Sequence, residues 1–189
     1  MRCLLTAAAG LALVSLPAAP ATIPRPAPEL SFKLADGKPA KLSQWRGKVI
    51  VLEFLLTTCS HCQQTSMTMN RVQAEYGARG VQAVGIAIND ENGSLASGYV
   101  KEFGLTYPIG WAKHQVAVDF LQHPVMLRMM MPQLMFIDRA GVIRAQYPGT
   151  DPFFQNEEAG MRKMLDSLLK ESRGTRAPSS RKAVPQQSK

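Results

Sequence analysis

Acidic residues are scarce in this chain: 14 aspartates and glutamates stand against 22 lysines and arginines, for a net charge of +8 over 189 residues. Cysteine is scarcer still, at three, and so is histidine, also at three. The positive excess does not mark a nucleic-acid binder. Arg2 carries one charge and the stretch beyond Ser172 carries five, which leaves two for the rest. No stripe of basic residues interleaved with aromatics is present, so nucleic acid is not an expected partner. Nor is there an internal repeat. Zinc needs four ligands, and beyond the cysteines only His61, His114 and His123 remain, at no recognisable ligand spacing. Covalent haem would need a histidine directly after Cys62, where Gln63 stands. No cofactor is therefore expected. The length suits one domain and not comfortably two.

The one long apolar run is at the start. Met1-Arg2 precedes the alanine- and leucine-rich stretch Cys3–Ala19, and Ala19-Pro20-Ala21 offers small residues for a cut before Thr22. This reads as a signal peptide over 1–21, with export to the periplasm or another extracytoplasmic space. A retained membrane anchor is the alternative, although Pro17 and Pro20 make the run short for a stable span. Cys3 would leave with the peptide. The mature chain then keeps Cys59 and Cys62, which an oxidising compartment can hold as a disulfide. Residues 22–30 are proline-rich and read as a linker. Residues 173–189, rich in Ser, Pro, Gln and Lys without apolar periodicity, read as a disordered basic tail.

Cys59-Ser60-His61-Cys62 is the feature with the most chemistry in it. The apolar strand Val49–Leu56 runs into it, and a helix over Ser60–Tyr76 follows. Two cysteines at this spacing meet across one helical turn, and a Cys-x-x-Cys pair at a β-α junction reads as a redox dithiol. Unpaired N–H groups at the helix start favour a thiolate on Cys59, the species that attacks disulfides. Cys59 precedes the helix and is expected to be the more exposed, hence the nucleophile. Cys62, inside the first turn, is expected to be buried and to resolve the mixed disulfide. Ser60 is the expected helix cap. An imidazolium at His61 would stabilise the thiolate and make the disulfide more oxidising.

Around this pair the chain alternates between strands and helices. Strands are expected at Ser31–Leu34 and Ala40–Leu42 (a hairpin around Asp36-Gly37), Val81–Ile88, Tyr107–Trp111, Gln133–Ile137 and Val142–Tyr147. Helices are expected at Ser94–Phe103, at Val116–Leu121, and from Asp151-Pro152 onward, with Asp151 as N-cap. Met67, Val72 and Tyr76 suggest the buried side of the first helix. Met161, Met164, Leu165, Leu168 and Leu169 form the apolar stripe of the last. The pattern implies an α/β domain over 31–172, a central mixed sheet covered on both faces.

Several stretches together resemble a known family. Phe32, Leu34 and Asp36-Gly37-Lys38, then Leu42-Ser43, Arg46-Gly47-Lys48-Val49, the dithiol strand, Met131-Pro132-Gln133 and Phe136-Ile137-Asp138-Arg139-x-Gly141 look like the thioredoxin-like proteins of the TlpA/ResA branch. The resemblance implies a thioredoxin fold with an N-terminal hairpin and a strand-helix insertion, here Ser94–Trp111. It implies a thiol–disulfide oxidoreductase whose clients are proteins with cysteine pairs. The implied role is that of a reductant, of the kind that serves cytochrome c maturation, fed by a membrane electron donor. It implies a cis bond before Pro132, opposite the dithiol, with Met131 presenting its backbone to the substrate strand. Glu53 stands six residues before Cys59 in an otherwise apolar strand, and burial should raise its pKa. By the same resemblance it would take the Cys62 proton during resolution.

Two departures stand out. Thr58 occupies the position where the family usually has Trp before the first cysteine. Met126–Met131 holds four methionines beside the expected cis-proline, which suit helix packing, an adaptable client surface or Cu(I) ligation with the thiolates. A disulfide oxidase or isomerase and a Cu(I)-handling protein are therefore the alternative readings. A peroxidase on the same fold is disfavoured, because peroxiredoxins carry Pro and Thr seven and three residues before the reactive cysteine and this chain has Leu52 and Leu56.

Overall fold

In the computed structural model, which describes residues 22–174, the apolar run Val49–Leu55 is strand β4 of the middle of a single sheet. The strands of the described residues are β1 Arg25–Pro26, β2 Ser31–Leu34, β3 Pro39–Lys41, β4 Val49–Leu55, β5 Val81–Ala87, β6 Ile109–Trp111, β7 Gln133–Ile137 and β8 Val142–Pro148. The helices are α1 Ser60–Tyr76, α2 Ser94–Phe103, α3 His114–Leu121 and α4 Glu157–Gly174. The eight strands lie in the order β1-β8-β7-β4-β5-β6-β2-β3. All seven residues of β4 and of β5 are buried, as expected of strands covered on both faces. They pair in parallel, so α1 must cross over to join them, while β7 runs antiparallel on the other flank of β4.

Alternation along β4 divides the interior in two. Val49, Val51 and Leu55 face a core built with Cys62, Met69 and Val72 of α1, Tyr99 of α2, and Met161, Leu165, Leu168 and Leu169 of α4. Ile50, Leu52 and Phe54 face the second core, with Phe120 and Leu121 of α3 and Phe32 and Ala40 of the β2–β3 hairpin. Glu53 has the parity of Val51 and Leu55, which aims it at α1.

The predicted thioredoxin fold, hairpin and inserted β6 region are present, with several local differences. The proline-rich stretch expected as a linker contributes β1, which pairs Arg25 with Ile143 and Pro26 with Val142 of β8. Leu42 does not extend β3 but opens a 3-10 turn over Leu42–Trp45. Asp151 caps a 3-10 turn, Pro152–Asn156, by accepting from the Phe153 N–H at 2.8 Å, and α4 begins only at Glu157. On α1, Met67 is 39% exposed and Met69 is buried in its place. The segment read as a signal peptide, 1–21, lies outside the described residues, as does the tail from 175; α4 itself runs to Gly174. Among the described residues, no helix is long and apolar enough to cross a membrane.

Gly149 closes the loop after β8, where its N–H donates to the Met130 carbonyl at 3.0 Å. A Cβ there would overlap the Met131 carbonyl and lie 2.9 Å from the Pro132 nitrogen. Gly98, on the exposed side of α2, has open space around it. Urea unfolding should show Gly149→Ala destabilised by about 1–3 kcal/mol. Gly98→Ala should instead gain about 0.5–1 kcal/mol from helix propensity. Equal effects of the two substitutions would contradict this packing.

Candidate active site

The dithiol sits where β4 gives way to α1, in a turn held by side chains from elsewhere. Asn89 binds Thr57 twice: its Oδ1 accepts from the Thr57 N–H at 3.1 Å and its Nδ2 donates to Thr57 Oγ1 at 3.0 Å. Gln63 Nε2 donates to the Thr57 carbonyl at 3.0 Å, and the Cys59 N–H donates to the Leu56 carbonyl at 3.1 Å. Cys59, with extended backbone (φ −89°, ψ 115°), is itself the N-cap of α1, the role expected of Ser60. Its Sγ accepts from the Cys62 N–H at 3.3 Å. A helix N-terminus places partial positive charge at that sulfur. Both cysteines are thiols, with Cys59 half-buried and Cys62 fully buried. Burial pushes the Cys62 thiol up strongly. The Glu53 charge and the hydrogen bond between the Cys62 and Cys59 side chains add to this.

Glu53 is fully buried in the centre of the sheet, opposite Leu134 of β7 and Gly85 of β5. Its Oε2 accepts from the Ser66 hydroxyl at 2.8 Å, and its Oε1 has no hydrogen-bond partner among the described residues. Burial holds its carboxyl well above the usual carboxylate range. The Ser66 bond opposes that rise, while Glu157 and Cys59 reinforce it. Ser66 lies one turn beyond Cys62 on the same buried face of α1.

The Met131-Pro132 bond is cis, in the geometry the resemblance implies. Gln133 of β7 pairs with Phe54 near the end of β4, so Met131-Pro132 lies at the same end of the sheet as Cys59. Met131 packs on both cores. The Met130 carbonyl is fixed from two sides, by the Gly149 N–H and by Gln133 Nε2 at 2.6 Å. The methionine-rich segment is a loop between α3 and β7, not a helix. Met126 is 91% exposed, whereas Met129 packs against the second core.

His61 is half-buried and meets Phe154 edge-on, with ring centroids 4.7 Å apart. Phe154 joins a run of aromatic rings through Phe153 to Tyr147, which stack 4.2 Å apart. With the exposed Thr58 where the family usually has Trp, the aromatic neighbour of the dithiol helix comes from the 3-10 turn before α4. Sequence reasoning missed Phe154, Asn89, Ser66 and Tyr99. Only Ser66 had a local signal, a polar residue four positions after Cys62 on its face.

A family model for the AhpC/TSA family matches residues 23–146. The chain belongs to that family. It is 28% identical over 125 residues to the thioredoxin-like protein YneN of Bacillus subtilis, a match covering 66% of this chain and 70% of the relative. It is also 28% identical over 93 residues to the thiol-disulfide oxidoreductase ResA of Bacillus thuringiensis, covering 49% of this chain and 53% of that protein. Among solved structures, a thiol:disulfide interchange protein of the thioredoxin family from Chlorobium tepidum superposes with a TM-score of 0.66. That pair is 26% identical, with 79% of this chain and 99% of the other covered. A DsbF homologue from Corynebacterium diphtheriae, 21% identical with a TM-score of 0.64 over 77% and 88% of the two chains, shares the fold. This family member thus carries its dithiol at the β4–α1 junction of a thioredoxin fold.

Because folding raises the Glu53 pKa, the native state binds the carboxyl proton more tightly than the unfolded chain does. The stability this lends is full below the unfolded carboxylate pKa and is lost as pH rises toward the native value. Glu53→Gln removes that dependence. Chemical denaturation should find the variant more stable than the parent at pH 8, with the difference shrinking toward pH 4. A difference that grows on acidification would contradict the buried, raised carboxyl.

Proposed function

We propose that this protein is a thiol–disulfide oxidoreductase that reduces disulfides in client proteins outside the cytoplasm. The observation that carries the proposal is the asymmetry of the pair. Cys59 is half-buried at a helix N-cap, Cys62 is sealed beneath it, and a buried carboxyl shares the same face of the sheet. The Cys59 thiolate attacks one sulfur of a client disulfide. A Cys59–client disulfide forms, the client S–S bond breaks, and the second client sulfur leaves as a thiolate. Cys62 then gives its proton to Glu53, and its sulfur attacks Cys59. The Cys59–Cys62 disulfide forms and the first client thiolate is released. The client gains two electrons and the protein dithiol loses two. The Met131-Pro132 backbone would seat the client strand beside Cys59. A dithiol donor must restore the reduced pair, and a membrane protein fits a protein exported by its first 21 residues.

The reducing direction is the role that the likeness to ResA implies. Burial and the Glu53 charge hold Cys62 as a thiol, so the stabilisation of the reduced pair that a strong oxidant requires would have to come from the surroundings of Cys59 alone. Disulfide donation is the same chemistry run backward, and His61 is the residue that would promote it. The peroxidase reading is disfavoured, because Leu52 and Leu56 stand where peroxiredoxins carry Pro and Thr.

With insulin as a disulfide substrate and dithiothreitol as reductant, Cys59→Ser should fall to the uncatalysed rate. Pre-reduced Cys62→Ser, mixed with insulin after dithiothreitol is removed, should instead accumulate a reductant-sensitive mixed disulfide, visible on a non-reducing gel. Parent-level turnover by Cys59→Ser would contradict the assignment of the nucleophile.

A further inference from the structure

The Glu53 carboxyl has one oxygen engaged and one oxygen idle, and the way the engaged one is held bears on which atom handles the proton. Ser66 Oγ accepts from the Tyr99 hydroxyl at 3.0 Å. A hydroxyl has a single proton, so Ser66, already accepting from Tyr99, turns its own proton to Glu53 Oε2, 2.8 Å away. The chain therefore has one polarity, from the Tyr99 O–H through the Ser66 O–H to the carboxyl. We infer that Ser66 and Tyr99 are positioning residues that hold the Glu53 carboxyl by Oε2 and so reserve Oε1 as the atom that takes up the Cys62 proton. This rests on the exchange reading proposed above and adds to it the residues that orient its base.

Both ends of the chain are fixed. Tyr99 is 3% exposed, and burial pushes its phenol up, so it stays protonated and remains a donor across the working pH range. Tyr107 donates to the Ser66 carbonyl at 3.4 Å, so two phenols from the inserted segment converge on the same residue. The helix that carries Tyr99 is anchored by the buried Asp90. Its Oδ1 accepts from the Gly93 N–H at 2.8 Å and its Oδ2 from the Ala96 N–H at 2.7 Å. The titratable groups around Glu53 are Cys59 and Cys62 at the start of α1, Tyr99 of α2, Tyr107 before β6 and Glu157 of α4. None is a cation, so the Ser66 proton is the main stabiliser of a charged Glu53. A buried carboxylate oxygen without a partner is costly, and a role in proton transfer accounts for Oε1.

The test is the resolving step. Full-length reduced protein is mixed with oxidised glutathione, and decay of the Cys59–glutathione adduct is followed by quench and mass spectrometry from pH 5 to 9. Ser66→Ala removes a donor to the charged carboxyl, so the midpoint of the pH–rate profile should move up. The rate at pH 7 should fall about tenfold, the worth of one such hydrogen bond. Tyr99→Phe keeps the ring and should move the midpoint in the same direction, with a loss of about threefold. In a Glu53→Gln background neither substitution should change the rate further, because both act through Glu53. An unmoved midpoint in Tyr99→Phe, or equal losses with and without Glu53, would overturn the inference even if Ser66→Ala fails to fold. If the parent itself forms no adduct at Cys59, the exchange reading fails, and the inference with it.

Discussion

A carboxyl group at the centre of an apolar sheet is the constraint on which this site depends. Glu53 could not remain buried in β4 without something to hold its charge or its proton. The fold meets that demand from one side only. Ser66 binds one oxygen, Tyr99 donates to Ser66, and the other oxygen has no hydrogen-bond partner among the described residues. The same burial that makes Glu53 reluctant to ionise does so for Cys62. Two groups that both prefer the neutral form, on one face of the sheet, are suited to passing a single proton between them.

Geometry at the end of the sheet then sets the two sulfurs apart. Cys59 caps α1 and is within reach of solvent, while the next three residues carry Cys62 into the interior. The register of β7 against β4 brings the cis Met131-Pro132 bond to this end, and Gly149 can approach it because it lacks a Cβ. One aromatic ring of the turn before α4, Phe154, meets His61 edge-on. The site is thus assembled from β4, α1, the segment before β7 and the turn before α4. None of these lies next to more than one of the others in the chain.

Much of this was legible in the residues, for physical reasons. Strands such as β4 and β7 announce themselves by continuous apolar runs, and α1 and α2 have the bounds expected from their start and stop residues. Glu53 stood out because a lone acid in such a run needs an explanation. What could not be read depended on contacts distant in sequence. Asn89 steadies Thr57 from 32 residues away, and Tyr99 reaches Ser66 from 33. β1 is two residues long and exists only because β8 offers it an edge. Met67 and Met69 are equally apolar, and only the packing of α1 on the sheet decides which one is buried.

The most direct measurement is the reduction potential of the Cys59–Cys62 pair, by equilibration of the protein with thiol–disulfide buffers. The proposed reductant role predicts a value near that of thioredoxin, roughly −270 mV. A value near roughly −120 mV would mean that the reduced pair is stabilised after all and that the protein donates disulfides. Failure to form the disulfide at any poise would contradict the exchange mechanism itself.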